Sequence, residues 1–211
     1  VSVYTPRKKR FFLKYLAHFL LLFENVKAKG SFLDNKRVIV AAAPHQSGKD
    51  EYLMILMILA LDIDVCYLSA KWTMRRIPNP FVKPKDIDKQ GIAWPLGWLQ
   101  EIVFKKFGAI PVDRKGNSGQ YDSVVEELIK RDNFLLIITP EGRFDATRFR
   151  SSFLYLAKEL KAEVMPVQID YENNRLQFLN SLDLQGSEEE VIQRLRLCFD
   201  GIKGNKSRFK A

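Results

Sequence analysis

Short apolar runs alternate along the chain with longer segments whose apolar positions recur at helical spacing. The run Val38-Ile39-Val40-Ala41-Ala42-Ala43, between Asn35-Lys36-Arg37 and Pro44, predicts a buried strand. Ser47 is then a candidate N-cap for a helix to about Leu61, with Met54, Ile55, Ile58, Leu59 and Leu61 as its apolar face. Further strands are predicted at Val65 to Ser69, Ala109 to Val112, Phe134 to Ile138 and Val164 to Ile169. Between them lie helices at Leu96 to Phe107, Tyr121 to Lys130 and Ser151 to Leu160, and a Pro- and Lys-rich stretch from Arg75 to Gly91. Gln177 to Leu179 is expected to add an edge strand through a turn at Asn173-Asn174, and Glu188 to Phe199 an amphipathic helix. Strands alternating with helices predict an α/β fold with a mostly parallel central sheet flanked by helices.

Ahead of this alternation stands a different pattern. Arg7-Lys8-Lys9-Arg10 precedes an apolar run from Phe11 to Phe23 that only Lys14 and His18 interrupt. About 20 apolar residues are needed to cross a bilayer, so the run is expected to lie on a membrane surface or to pack on the domain. No small-residue cleavage site follows it, which argues against a secretory signal. The expected organisation is an N-terminal basic and apolar membrane-associating helix over residues 1–30 and one further domain over 31–211.

Composition adds little until charge is counted. The 211 residues include 34 Lys and Arg against 25 Asp and Glu, a net charge of +9. Such a surplus suits a polyanionic partner: nucleic acid, an anionic membrane face or phosphorylated small molecules. Eleven Gly and nine Pro exclude a low-complexity chain. Cys66 and Cys198 sit among apolar neighbours without a CxxC spacing, so neither a disulfide framework nor a zinc site is indicated, and a reducing compartment is expected.

Ligands of a parallel sheet sit at the carboxyl ends of its strands, which directs attention to the polar residues that follow each apolar run. Those residues are Pro44 to Asp50, Gly108 with Asp113-Arg114, and Thr139-Pro140-Glu141-Gly142-Arg143. His18 lies inside the N-terminal apolar run, whereas His45 stands in a polar loop at a strand exit, with Asp50 five residues on. A helix beginning near Ser47 would bring Asp50 back toward the imidazole, giving a base with its orienting carboxylate. No G-x-S-x-G elbow and no cysteine beside a basic cluster supplies a nucleophile. The hydroxyl to be activated therefore belongs to a substrate.

The H-x4-D spacing is weak evidence alone, but it has company. His45-Gln46-Ser47-Gly48-Lys49-Asp50 resembles the first box of the glycerophospholipid acyltransferases, the family containing lysophosphatidic acid acyltransferases. Gly108-Ala109-Ile110-Pro111-Val112-Asp113-Arg114 is similar to the second block, Pro140-Glu141-Gly142 to the core of the third, and Val164-Met165-Pro166-Val167 to the fourth. The ordered blocks run from about residue 38 to 170. One departure stands out: the third block usually continues E-G-T-R, and this chain reads Glu141-Gly142-Arg143-Phe144. Arg143, Arg148 or Arg150 would then supply the cation from another backbone position.

The resemblance implies an acyltransferase that moves a fatty acyl chain from acyl-CoA or acyl carrier protein to the hydroxyl of a lysophospholipid such as 1-acylglycerol-3-phosphate. It implies neither a metal nor another cofactor. In it, His45 is the base, Asp50 orients it, Arg114 binds the acceptor phosphate, and Glu141 with Gly142 shapes the acceptor pocket. Gly108 and Arg143 join them as substrate-binding residues, with Gly108 and Pro111 also open to a purely turn-forming role. Backbone N–H groups at the helix start after His45 are candidate oxyanion donors. The partners are the lysophospholipid, the acyl donor and an anionic membrane surface, with no nucleic acid, and the expected location is the cytoplasmic face of a membrane, peripheral or monotopic. The stretch Trp72 to Trp94 reads as a long loop able to contact membrane or donor. The alternatives are a different acceptor, another lysolipid or an acylated amino acid, and a noncatalytic basic domain that binds membrane or nucleic acid.

Overall fold

The computed structural model describes residues 11–29, 36–46, 48–61, 65–77, 92–106, 108–112, 121–142 and 148–204. These fall into two compact units, residues 1–64 with 132–211, and residues 65–131.

The first unit is built on strands β1 (Lys27–Lys29), β2 (Arg37–Ala43), β7 (Phe134–Ile138), β8 (Glu163–Asp170) and β9 (Arg175–Phe178), in the spatial order β1-β9-β8-β2-β7. Strand β2 lies parallel to both of its neighbours, with Ile39 opposite Leu136 on one side and Val164 on the other. A strand paired on both edges and covered on both faces has no polar side, and Val38 to Ala43 are accordingly all buried. Among the described strands of this unit, only β8 and β9 pair antiparallel, which their short connection through Asn173-Asn174 dictates. The sheet is therefore mostly parallel and flanked by helices, the α/β architecture the alternating runs predict. One expectation fails. The strand containing Gln177 is not at the edge, because β1 pairs with it in parallel, Lys27 opposite Arg175 and Lys29 opposite Gln177.

Helices α1 (Phe11–Glu24) and α2 (Gly48–Leu61) pack on each other through Ala17, Leu56 and Ala60, with Leu20, Leu21 and Leu59 around them. Lys49 Nζ lies 2.6 Å from Glu24 Oε2, so the end of α1 meets the start of α2 and the two run antiparallel. Small Ala17 and Ala60 allow close approach of the two backbones. The opposite side of α1 leaves Phe12, Phe19, Leu22 and Phe23 more than half exposed. Among the described residues, no helix is long and apolar enough to cross a membrane. Helix α5 (Ser152–Leu160) buries Phe153, Leu156, Ala157 and Leu160. Helix α6 (Glu188–Leu197) starts at a capping box in which Ser187 Oγ accepts from the Glu190 N–H and Glu190 Oε2 accepts from the Ser187 N–H.

In the second unit, β3 (Val65–Ala70) pairs in parallel with β6 (Ala109–Val112), and the short strands β4 (Arg76–Ile77) and β5 (Ile92–Ala93) pair antiparallel. Helices α3 (Gly97–Lys106) and α4 (Asp122–Leu128) complete it. Within the stretch read from sequence as one long loop, Lys71–Met74 forms a 3₁₀ turn and residues 76–77 and 92–93 are strands, while 78–91 lie outside the described residues.

Candidate active site

Strand β2 ends at Ala43, and the chain leaves the sheet through Pro44, His45 and Gln46 before α2 begins at Gly48. Both polar groups predicted at this exit are buried: His45 is 6% exposed and Asp50 1%. A charged side chain removed from water so completely needs partners. Asp50 stands in the first turn of α2, where the helix N-terminus favours a negative charge. Its Oδ2 accepts a hydrogen bond from the Gln46 N–H at 2.6 Å, and its Oδ1 accepts from the Tyr171 hydroxyl at 2.6 Å.

His45 Nδ1 and Asp50 Oδ2 are 3.7 Å apart. This is ion-pair distance, longer than a hydrogen bond. The fold thus brings the two residues together as the H-x4-D spacing leads one to expect, with the carboxylate's closer contacts going to Gln46 and Tyr171.

The third predicted region reaches the same place. Glu141 follows β7, and its Oε2 accepts from the backbone N–H of His45 at 2.6 Å. Burial pushes the Glu141 carboxyl up to about 6, against the hydrogen bond from His45 and the attraction of its ring, and the charge of Asp50 adds to the rise. Gly142 has φ +68°, and its N–H donates to the Thr139 carbonyl at 2.9 Å, closing a turn. A Cβ on Gly142 would lie 3.0 to 3.2 Å from Nε, Cδ and Cζ of Arg150, so the guanidinium stem of Arg150 crosses directly over this glycine. The Arg150 N–H donates to the Pro140 carbonyl at 2.8 Å, which holds the arginine beside the Pro140-Glu141-Gly142 turn. Among the described residues, Arg150 is therefore the arginine placed against this turn, with its side chain exposed to solvent as that of Arg148 is, and Arg143 lies outside the described residues.

Gly108 belongs to the second unit. With φ +88°, it leaves no room for a side chain, since a Cβ would strike the Val65 carbonyl oxygen. Its N–H closes α3 on the Lys105 carbonyl and its carbonyl accepts from the Tyr67 N–H, each at 3.0 Å. Its visible work is to turn the chain from α3 into β6. Arg114, the predicted phosphate ligand, and Asp113 lie outside the described residues, as does Ser47.

One residue of the site was missed. Tyr171, 121 positions from Asp50 in sequence, directly follows β8 and is 6% exposed. Asp170 and Tyr171 directly follow the apolar run Val164 to Ile169 in the sequence. The hydroxyl of an otherwise buried tyrosine needs a partner, and that requirement is the signal. The Gln46 N–H, one of the candidate oxyanion donors at the start of α2, is already engaged by Asp50. Among the described residues no group of three or more His, Cys, Asp or Glu side chains is placed to hold a metal ion.

Comparison with known proteins bears on the family and the fold. The family model described as Acyltransferase matches residues 24–170. No curated protein matches the sequence. Among solved structures, the chain is similar to the crystal structure of PlsC, the 1-acyl-sn-glycerophosphate (LPA) acyltransferase from Thermotoga maritima. Identity is 18% and the TM-score 0.52, over 97% of this chain and 84% of that one. At this identity the likeness shows a shared fold.

Proposed function

Because the chain belongs to the Acyltransferase family, we propose that it moves a fatty acyl group from acyl-CoA or acyl carrier protein to the hydroxyl of a lysophospholipid such as 1-acylglycerol-3-phosphate, as a step of phospholipid biosynthesis. The observation that carries this reading is the convergence of His45, Asp50 and Glu141 at the ends of β2 and β7, joined by the 2.6 Å bond from the His45 N–H to Glu141.

The chemistry divides among residues of this chain as follows. His45 removes the proton from the acceptor hydroxyl as that oxygen attacks the thioester carbonyl. Asp50 orients the ring and stabilises the imidazolium formed, which requires the 3.7 Å separation to shorten in the reacting complex. The tetrahedral oxyanion collapses with departure of the thiolate, and the imidazolium returns its proton to that sulfur. No bond to the protein forms. With the Gln46 N–H engaged by Asp50, the oxyanion donor at this helix start is a later N–H of α2. Arg150 supplies cationic charge for the acceptor phosphate where the family's usual third-block arginine is displaced, and Arg114 supplies more.

The apolar residues that α1 leaves exposed, with the basic cluster at Arg7 to Arg10 ahead of them in sequence, support peripheral attachment to an anionic membrane. That attachment would give the site access to substrates that live in the bilayer.

The test is release of free thiol from acyl-CoA, and from acyl carrier protein, across a panel of acceptors: 1-acylglycerol-3-phosphate, neutral lysolipids and acylated amino acids. Thiol release with the phosphorylated lysolipid is expected. Release with none of the panel refutes the reading, and salt-dependent oligonucleotide binding in its place identifies the noncatalytic alternative.

A further inference from the structure

Two hydrogen bonds to the Asp50 carboxylate come from different parts of the chain. The Gln46 N–H that meets Oδ2 belongs to the same loop, four residues away, and moves with it. The Tyr171 hydroxyl that meets Oδ1 comes from the end of β8, a strand locked between β2 and β9. A carboxylate can turn about its last torsion almost freely. Fixing both oxygens sets the plane of the group and hence the direction in which Oδ2 faces His45.

Tyr171 is itself anchored. Its backbone N–H donates to the Lys203 carbonyl at 3.1 Å, and Lys203 Nζ lies 2.6 Å from Glu172 Oε1. The next residue, Gly204, packs so closely on Pro44 and Gln46 that a Cβ there would collide with the Gln46 side chain. Residues 203 and 204 therefore touch both the Tyr171 backbone and the loop that carries His45. The phenol and the imidazole loop are held in one frame, and an error in one would be transmitted to the other.

We infer that Tyr171 is a positioning residue for the His45–Asp50 pair, its hydroxyl setting the Asp50 carboxylate so that Oδ2 faces Nδ1 of the imidazole. This rests on the reading of His45 as the base, and it deepens that reading without adding a group that touches substrate. Tyr171 acts through Asp50.

Tyr171→Phe removes one oxygen and keeps the ring, so packing is conserved and the bond to Asp50 is lost. The first readout needs no activity. The chain has two histidines, so protein labelled with ¹⁵N at histidine gives two sets of ring signals, assigned with a His18→Gln variant. In Tyr171→Phe the His45 ring signals are expected to move and its tautomer balance to change, while those of His18 stay in place. The second readout is kinetic: kcat falls at least tenfold with the acceptor KM within twofold of wild type. In an Asp50→Asn background the same substitution adds less than a twofold loss, because its effect runs through the missing carboxylate. Tyr171→Gln, which keeps a donor on another arm, is expected to recover part of kcat. Unchanged His45 signals in Tyr171→Phe overturn the inference, as does an undiminished additional loss in the Asp50→Asn background. Should Tyr171→Phe not fold, the His45 signals of Tyr171→Gln decide in the same way. If wild-type protein transfers no acyl group, the functional reading fails, and the ring signals still report whether Tyr171 sets the pair.

Discussion

The backbone N–H of His45 donates to the Glu141 carboxylate at 2.6 Å, across 96 positions of sequence. Two loops that leave neighbouring parallel strands are thereby tied together at the point where the first carries its imidazole. A carboxylate that accepts from backbone fixes the loop's path without using the ring. The same carboxyl is partly withdrawn from water, and that has a measurable consequence.

Burial raises the Glu141 carboxyl from 4.5 to about 6 in the folded chain. Between those values the folded chain keeps a proton that the unfolded chain has released, so stability falls as pH rises through the window and levels off above it. Glu141→Gln removes this dependence and keeps an acceptor for the His45 N–H. Urea unfolding at pH 4.5 and 6.5 should show wild type losing about 1 kcal/mol relative to the variant, the modest size reflecting solvent screening of a partly exposed group. Parallel stability curves for the two proteins would refute the raised carboxyl.

His45→Ala should lower acyl transfer by about 10²–10⁴, the span that a positioned general base contributes. Far-ultraviolet circular dichroism should be unchanged, because His45 lies in the loop between β2 and α2. A turnover close to wild type would remove His45 from the chemistry.

Arg150→Ala should raise the KM for a phosphorylated acceptor about tenfold, the loss of one charge-assisted contact of about 1.5 kcal/mol. For a neutral lysolipid acceptor it should change little. Equal effects on both acceptors would assign the arginine to the Pro140-Glu141-Gly142 turn alone.

Gly108→Ala puts a side chain on φ +88° and against the Val65 carbonyl. A cost of about 1–3 kcal/mol is expected from the strained backbone alone, read as a lower unfolding midpoint. Gly142→Ala shares the left-handed backbone strain at φ +68°, but its nearest neighbours are side-chain atoms of Arg150 from 3.0 Å and not backbone, so it should cost less. The reverse ranking would contradict the assignment of Gly108 as the turn into β6.

Replacing Phe12, Phe19 and Leu22 together by Ser should weaken flotation with anionic vesicles by more than tenfold, since each exposed apolar side chain adds about 1.5 kcal/mol or more when buried in lipid. Ala17→Glu, on the face packed against Leu56 and Ala60, should instead lower stability. Vesicle binding unaffected by the triple substitution would place the membrane contact elsewhere.

The parts of the fold legible in the sequence are those where one residue's surroundings decide its type. Val38 to Ala43 and Phe134 to Ile138 are continuous apolar runs because central parallel strands have no wet face, and they read as strands at once. His45 and Asp50 were legible as a pair because a loop and one helical turn are local geometry. Lys27–Lys29 was not, since a three-residue strand of Lys-Ala-Lys carries no period and is a strand only because Arg175–Phe178 offers an open edge. Tyr171 was hidden, and Arg150 was legible only as one of three candidate arginines, for a related reason: what places them at Asp50 and Gly142 is tertiary packing, which leaves no spacing in the sequence to count.

The short pairing of Lys27–Lys29 with β9 changes what the amino-terminal segment is for. A trimmed chain beginning near residue 31, the obvious choice for anyone wanting a detergent-free preparation, would strip the outermost strand from the sheet and the cover from Leu56 and Ala60. The backbone of Arg175 to Phe178 would then offer its unused donors and acceptors to the next molecule it met. Such a preparation should stick to itself, and solubility is better sought by changing what the first helix shows to solvent than by cutting it away.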